Sequence, residues 1–313
     1  MKADFSIPGT RLVGSKRRSF RKLLTAIVMQ RYIRPLAAIV MALLVAACGG
    51  RDAPDDRLAE IREAGVLKVA AFDSNPPFGF VDPETRRIAG LDVDYAQALA
   101  DRLGVRLEVV PTNPANRIPL LTSGKVDLVL ANFTITEERA RQVDFSIPYF
   151  ASGQQFIARK GVLTSPEQLN GLRIGVDKGT VNEINLRDKY PQATLIAYDD
   201  TPFAFTALRN GNVEAISQDG PKLIGVLAHA PNADEFEIPP FVISQDLIGV
   251  GVPKGQAALK AFVDQTLTEL EASGEAQRIY DRSFGPQTRT PLARTYRIGQ
   301  PAGAGASNLA PAA

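Results

Sequence analysis

The sequence is poor in histidine and cysteine, with one of each among its 313 residues. A histidine-based triad and a zinc cluster both need more than these. His229 lies at the end of a predicted helix in "LAHAPN", where we expect a surface or capping role. One cysteine also excludes an internal disulfide bond. A GxxxxGK[ST] phosphate-binding loop is absent as well.

Positive charge is scarce once the first 47 residues are set aside. Those residues carry nine Lys or Arg and one acid, Asp4, whereas the remainder carries 27 basic and 33 acidic residues, a net charge of −6. The formal charge of +2 for the whole chain therefore hides an acidic main body. Nucleic-acid binding depends on contacts from basic side chains to phosphates. The composition gives no electrostatic support to such a role.

The N-terminal region has the pattern of an export signal. The apolar run from Leu36 to Ala47 is too short to span a bilayer but matches a signal-peptide core in length. It ends in "VAAC", which resembles the lipobox of bacterial lipoproteins, so we predict lipidation at Cys48. Residues 1–47 are then the signal peptide and residues 48–57 a polar tether. Translation from Met29, a twin-arginine signal at "RRSFRK" and a lone buried thiol remain as alternatives.

Short strands alternate with amphipathic helices between residues 58 and 285, which is typical of α/β proteins. The first unit has strands at 66–72, 106–112 and 126–131, with a helix from Asp94 and another near "RIPLLTSG". A second unit begins at "LRIGVDKGT" (172–180) and continues through strands at 193–200 and 213–219. The pattern predicts two α/β lobes with parallel sheets. Residues 286–313 have too little apolar content to fold alone and are predicted to form a flexible tail.

The two units resemble each other in sequence. "LLTSGKVDLVLAN" (120–132) and "ALRNGNVEAISQD" (207–219) share a leucine, a glycine, a valine and an acid at the same spacing. This match places Asn132 opposite Asp219, and "LKVAAF" against "LRIGVD" places Phe72 opposite Asp177. A chance match in an α/β protein is the alternative, but we interpret the pattern as an internal repeat.

Residues that directly follow the predicted strands are candidates for ligand binding, because open α/β sheets bind ligands beyond the carboxyl ends of their strands. They are Phe72 to Asn75, Ala131 to Thr136, Asp177 to Asn182, and Asp219. Together with Arg139 they suit a zwitterion. The guanidinium can bind a carboxylate, Thr180 starts a helix with free backbone N–H groups, and Asp219 can bind an ammonium. Each also has an ordinary reading, as a solvated helical arginine or as a helix cap.

Four segments resemble the extracellular solute-binding proteins of polar amino-acid ABC transporters (family 3). They are "GLDVDYAQALADRLG", "SGKVDLVLANFTITEERARQVDFSIPYF", "GLRIGVDKGT" and "VEAISQD". The likeness covers nearly all of residues 58–285. It implies the two-lobe fold of type II periplasmic binding proteins, with one lobe from 58–152 plus 246–285 and the other from 153–245. Two hinge strands would join the lobes near 149–156 and 242–250.

The resemblance also implies roles for the site residues. Arg139 pairs with the α-carboxylate of the ligand, helped by Thr134 and Thr180, and Asp219 pairs with the α-ammonium. The candidate ligand-binding residues are Phe72, Asp73, Arg117, Asn132, Thr134, Arg139, Asp177, Thr180, Asn182 and Asp219. We expect no catalytic residue, metal or cofactor.

Side-chain specificity is less clearly encoded. "NRIPLL" (116–121) and "SGEAQRIYDRSFG" are most similar to the acidic amino-acid branch, in which an arginine at the position of Arg117 faces the ligand side chain. That branch usually has Lys or Arg where this chain has Phe72, and Asp177 would bring negative charge towards the same pocket. Glutamate, aspartate or glutamine is therefore expected, with another polar or aromatic-compatible amino acid as the alternative.

The resemblance implies a monomeric periplasmic protein, anchored to the membrane through Cys48, that delivers an amino acid to ABC permease subunits in the inner membrane. Two other classes use the same fold. A cyclohexadienyl dehydratase-like enzyme would need an acid or base over the reacting carbon, for which Asp177 or Asp73 is available. A ligand-sensing receptor would need a further domain, and none is evident after residue 285.

Overall fold

The computed structural model describes residues 56–300. The predicted signal peptide, the lipidation site at Cys48 and nearly all of the predicted tether lie outside this range. The helices are α1 (Arg57–Ala64), α2 (Leu91–Leu103), α3 (Arg117–Thr122), α4 (Glu137–Ala140), α5 (Val181–Lys189), α6 (Thr201–Arg209), α7 (Gly220–His229), α8 (Ala257–Ala272) and α9 (Glu275–Phe284). Within residues 56–300, none of the helices has the length and apolar character needed to cross a membrane.

Fifteen strands accompany these helices between residues 56 and 300. They are β1 (Val66–Phe72), β2 (Ser74–Asn75), β3 (Gly79–Val81), β4 (Ile88–Ala89), β5 (Arg106–Thr112), β6 (Leu128–Val129), β7 (Val143–Phe145), β8 (Phe150–Ser152), β9 (Gln154–Arg159), β10 (Arg173–Asp177), β11 (Thr194–Tyr198), β12 (Ala215–Asp219), β13 (Phe236–Glu237), β14 (Asp246–Ile248) and β15 (Gly251–Pro253). They form two five-stranded sheets, a three-stranded sheet of β2, β3 and β4, and a two-stranded pair.

The first lobe is built on the sheet with strand order β5-β1-β6-β15-β7. Strands β5, β1 and β6 are parallel, and β15 runs antiparallel to both of its neighbours. Helix α2 buries Leu91, Tyr95 and Leu99, which are four residues apart and so lie on one face. The helix begins at Leu91, three residues earlier than expected from the sequence. Its first N–H groups are satisfied by the carbonyls of Pro77 and Phe78.

The second lobe is built on the sheet with strand order β11-β10-β12-β9-β13 and repeats the first. Strand β10 pairs in parallel with β11 and β12, as β1 does with β5 and β6, and the fourth strand is antiparallel in both sheets. The matching glycines Gly124 and Gly211 end α3 and α6 with φ of +70° and +76°. A side chain at either position would meet nothing within 4 Å, so the backbone conformation explains the glycine. The internal repeat predicted from the sequence is thus present in the topology.

Two strands connect the lobes. Strand β8 leads from the first sheet into the second, and β14 leads back. They pair antiparallel, with Phe150 opposite Ile248 and Ser152 opposite Asp246. These strands fall within the two crossings expected from the sequence. The strand tips of both sheets then approach each other on one side of this pair.

Residues 286–300 differ from the flexible tail that the sequence led us to expect. Ile298 is 6% exposed, and Leu292 and Tyr296 pack against the first-lobe core. The Tyr296 ring lies 5.1 Å from that of Phe150, and Arg294 forms an ion pair with Glu271 of α8. The segment has few apolar residues, but they meet an existing apolar surface and need no core of their own. Residues 301–313 of the predicted tail lie outside the described range.

Candidate ligand-binding site

A cavity lies between the strand tips of the two sheets. The centre of a water-sized sphere can occupy a volume of about 10 Å³ inside it, so the cavity has room for roughly one water molecule. Eight of the ten residues selected from the sequence line it: Phe72, Arg117, Asn132, Thr134, Arg139, Thr180, Asn182 and Asp219. Pro114, Val181, Gln218 and Lys222 complete the lining and were not selected. Asp73 and Asp177 do not line the cavity.

Arg139 lies on α4, the short helix that follows the β6 tip. Thr136 caps this helix by accepting a hydrogen bond from the Arg139 N–H at 3.2 Å. The guanidinium donates to the carbonyls of Thr134 (2.9 Å) and Gly179 (3.1 Å) and lies 4.9 Å from the centre of the Phe133 ring. Burial lowers the pKa of Arg139 to about 10, with Asp219 acting in the opposite direction. The side chain is therefore a cation at neutral pH.

The N-terminus of α5 lies on the same cavity, because Val181 and Asn182 both line it. Thr180 caps the helix, accepting from the Glu183 N–H at 3.3 Å and donating to the Asp177 carbonyl at 2.7 Å. A helix start carries unpaired backbone N–H groups and a partial positive charge. With the guanidinium of Arg139, this side of the cavity is suited to a carboxylate.

Asp219 ends β12 and is 2% exposed. One carboxylate oxygen, Oδ2, accepts a short hydrogen bond from Asn132 Nδ2, across the two lobes. The other oxygen, Oδ1, is buried without a hydrogen-bond partner among the described residues. The pKa of Asp219 is raised to about 6, mainly by burial and also by the charge of Asp246, while Lys222 acts in the opposite direction.

Three buried side-chain oxygens in this cavity have no hydrogen-bond partner among residues 56–300: Asp219 Oδ1, Asn132 Oδ1 and Asn182 Oδ1. Unpaired buried acceptors are costly, and few occur without a reason. An ammonium group offers three donors and no acceptor. An ammonium group therefore supplies the kind of donor that each of these oxygens lacks.

Asp92 supports the site from behind and was not selected from the sequence. Its carboxylate accepts from the Asn132 N–H at 2.9 Å and from the Tyr149 hydroxyl at 2.6 Å. Asn132 has a φ of +44°, a left-handed conformation that asparagine tolerates better than most residues. Burial raises the pKa of Asp92 to about 7. The signal was present in "GLDVDY", where Asp92 falls on the buried face of a helix.

Arg117 is 3% exposed and is held mainly by backbone carbonyls. Nε donates to Pro114 at 3.0 Å, and one terminal nitrogen donates to Ala131 and Asn132 at 3.1 and 3.0 Å. The other terminal nitrogen has no hydrogen bond within the described range. The pKa of Arg117 is lowered to about 9, mainly by burial and also by the charge of Arg139.

Asp177 occupies a different position from the one we expected. Its Oδ2 accepts from Thr201 Oγ1 (2.6 Å), Gln218 Nε2 (2.7 Å) and Lys222 Nζ (3.3 Å), so the carboxylate is paired behind the cavity wall. Burial raises the pKa of Asp177, and Lys222 is the strongest opposing influence. The negative charge of Asp177 is therefore balanced by the ammonium of Lys222, a residue that was not predicted from the sequence. Asp73 is half-buried, and its carbonyl accepts from the Val81 N–H.

The two lobes contact each other directly around the cavity. Asp200, at the start of α6 in the second lobe, accepts hydrogen bonds from Ser74 Oγ and Asn75 Nδ2 of the first lobe. A Cβ at Gly225 of α7 would overlap the Pro76 carbonyl and come within 2.9 Å of Pro77 Cδ. The described residues therefore have the lobes closed on one another. No group of three or more His, Cys, Asp or Glu in the described part of the chain is placed to hold a metal ion.

Residues 67–286 match the family model of bacterial extracellular solute-binding proteins, family 3. The ABC transporter glutamine-binding protein GlnH of Bacillus subtilis is 30% identical over 79% of this chain and 94% of its own length. The L-glutamate/L-aspartate-binding protein of Pseudomonas aeruginosa is 29% identical over 80% of this chain and 86% of its own length. An ancestral arginine-binding protein solved with arginine superposes with a TM-score of 0.67 at 36% identity, over 71% of this chain and 99% of that one. The predicted type II periplasmic binding protein fold is confirmed.

Proposed function

This chain belongs to the bacterial extracellular solute-binding proteins of family 3, and from that premise we propose that it captures a polar amino acid for an ABC transporter. The observation that carries the proposal is the polarity of the cavity. Arg139 and the start of α5 suit a carboxylate, and three unpaired acceptors around Asp219 suit an ammonium. A free α-amino acid has both groups on one carbon.

Both lobes contribute to each end of the proposed site. Arg139 and Asn132 follow strands of the first sheet, whereas Thr180 and Asp219 follow strands of the second. A ligand bound to all four holds the lobes together and favours the closed state over an open one. We propose lobe limits of 58–152 plus 246–285 and 153–245, with bending at β8 and β14.

Glutamate, aspartate and glutamine are the proposed ligands. Arg117 has a terminal nitrogen without a hydrogen bond among the described residues and lines the cavity, which supports contact with a side-chain oxygen. The relatives named for glutamine and for glutamate and aspartate support the same group of ligands.

We further propose a periplasmic location, export by residues 1–47, lipid anchoring at Cys48, action as a monomer and delivery to permease subunits in the inner membrane. The family's extracellular character supports the location. The position of Cys48 after "VAA" supports the anchor.

A binding role is favoured over catalysis. The two carboxylates considered as a general acid or base, Asp73 and Asp177, do not line the cavity. Asp177 is also held by three donors. A dehydratase needs such a group within reach of its substrate.

Thermal unfolding of residues 49–313, refolded to strip bound ligand, against each common amino acid tests the proposal. Ligand at 100 times its Kd adds about 2.7 kcal/mol, which raises the midpoint by roughly 5–10 °C for a domain of this size. Arg139→Met should weaken binding of every amino acid about a hundredfold or more, because the α-carboxylate loses its cation. Arg141→Met is the matched control, since Arg141 is exposed. The absence of a shift with any amino acid would exclude the proposed function.

A further inference from the structure

Lys222 brings a buried ammonium to the cavity. It lies in the first turn of α7, three residues after Asp219, and is 1% exposed. Nζ lies 5.0 Å from the centre of the Phe72 ring, which belongs to the other lobe. Its one hydrogen bond within the described residues goes to Asp177 at 3.3 Å. An ammonium has three donors, so two are left for other acceptors.

The surroundings of Lys222 offer positive charge to anything placed beside it. Three cations line the cavity, Arg117, Arg139 and Lys222, against one lining carboxylate, Asp219. An α-amino acid adds one carboxylate and one ammonium, which Arg139 and Asp219 neutralise in the proposed function. Arg117 then remains without a charge partner, and Lys222, whose charge Asp177 balances, keeps two N–H donors for the ligand side chain.

Asp177 is unavailable to a cationic ligand while Lys222 is present. Its Oδ2 already accepts from Lys222 and from two uncharged donors, and it lies outside the cavity lining. A ligand ammonium or guanidinium would have to displace Lys222 or lie against it. Placing like charges together in a buried site is costly.

We propose that Lys222 is a specificity-determining residue: it selects amino acids whose side chain ends in a carboxylate or carboxamide oxygen, and its pairing with Asp177 excludes arginine and lysine. The inference rests on the proposed function. It gives Asp177 an indirect role, since this carboxylate fixes the ammonium that meets the ligand. It also separates this chain from the arginine-binding structure with which it superposes.

The test is isothermal titration of ligand-stripped protein with glutamate, aspartate, glutamine, arginine and lysine. Wild type should bind at least one of the first three and bind arginine and lysine at least a hundredfold more weakly. Lys222→Met should weaken binding of the preferred ligand at least tenfold. It should also tighten the binding of free arginine or lysine at least tenfold, because Asp177 can then pair with a cationic ligand. Lys160→Met is the matched control, since Lys160 is an exposed lysine of the same lobe outside the cavity lining, and should keep wild-type values.

Lys222→Met leaves a buried carboxylate without its cation, so the double variant Asp177→Asn, Lys222→Met is made alongside it. The double variant buries no unpaired charge. It should bind the preferred ligand more weakly than wild type and should not bind arginine or lysine more tightly. Wild-type protein that binds arginine as tightly as glutamine or glutamate overturns the inference. So does either variant if it keeps the wild-type order of ligands. In both cases the amino-acid-binding function stands, whereas wild-type protein that binds no amino acid overturns that function as well.

Discussion

Asn132 shows how much one residue of the site has to satisfy. Its N–H binds Asp92, its carbonyl accepts from Arg117, and its side chain binds Asp219 in the other lobe. All of this depends on a backbone φ of +44°. An asparagine adopts this conformation at lower cost than a β-branched or bulky residue. Asn132 thus joins the buried network of the first lobe to the cavity-lining carboxylate of the second.

The protonation state of Asp219 makes ligand binding depend on pH. Burial and Asp246 raise its pKa from 3.8 to about 6, so without ligand the folded protein binds more protons than the unfolded chain between these values. The contribution of Asp219 to the stability of the ligand-free protein therefore falls as the pH rises between these two pKa values. Ligand affinity changes in the opposite direction, because an ammonium binds the ionised carboxylate.

We predict that affinity is constant between about pH 7 and pH 8 and falls up to about tenfold for each pH unit below 6. Titration calorimetry in two buffers of different ionisation enthalpy should show proton release on binding near pH 6. Asp92→Asn is the companion variant, because burial raises the pKa of Asp92 to about 7 and that group titrates nearby. Equal affinity at pH 4.5 and pH 7.5 would contradict the role of Asp219.

Helix α7 can approach the other lobe closely because Gly225 has no side chain. Gly225 lies inside this helix, and its Cα approaches the Pro76–Pro77 backbone of the other lobe. Alanine costs less than glycine in a helix interior by about 1 kcal/mol. A methyl group here therefore favours the helix but prevents the lobes from meeting.

Gly225→Ala should weaken the binding of every ligand at least tenfold. The unfolding midpoint of the ligand-free variant should be equal to that of wild type or higher. Calorimetry and thermal unfolding measure the two effects separately. Gly171→Ala is the matched control, since a Cβ at that position meets nothing within 4 Å. Wild-type affinity in Gly225→Ala would mean that the ligand is bound without this degree of closure.

At the scale of the whole molecule, two lobe contacts hold the cleft shut through residues outside the cavity lining. Ser74 and Asn75 bind Asp200, which also caps α6 through the Thr201 N–H. Asp200 is 6% exposed, so these hydrogen bonds are largely shielded from water. They stabilise the closed state whatever the ligand.

The double variant Ser74→Ala, Asn75→Ala should therefore open the lobes and weaken all ligands by a similar factor, about tenfold, without changing their order. Small-angle scattering of ligand-free protein should give a larger radius of gyration than for wild type. Ser123→Ala serves as control, because Ser123 is exposed on the first lobe. A changed order of ligands would show that these residues act on specificity.

Local pattern predicts the alternation of strands and helices and the repeat. The sequence also predicts eight of the twelve cavity-lining residues, most of them at strand ends that local pattern marks, whereas Arg117 was expected from the family resemblance. Lys222 was missed since a lysine after "DGP" resembles a solvated helix residue, and only packing turns it towards Asp177. Its place in the first turn of α7 was a usable signal, because a cation there opposes the helix dipole. Asp177 was misplaced for the same reason, since tertiary contacts with Thr201 and Gln218 turn its carboxylate from the cavity.

The small cavity has a consequence for kinetics. A cavity with room for about one water molecule cannot admit an amino acid unless the lobes separate. Capture then takes two steps in series, opening followed by encounter, and its observed rate reaches a plateau as the amino acid becomes abundant. The plateau equals the opening rate, so every hydrogen bond that joins the lobes, including those of Ser74 and Asn75 to Asp200, slows the pace at which this protein can supply its transporter.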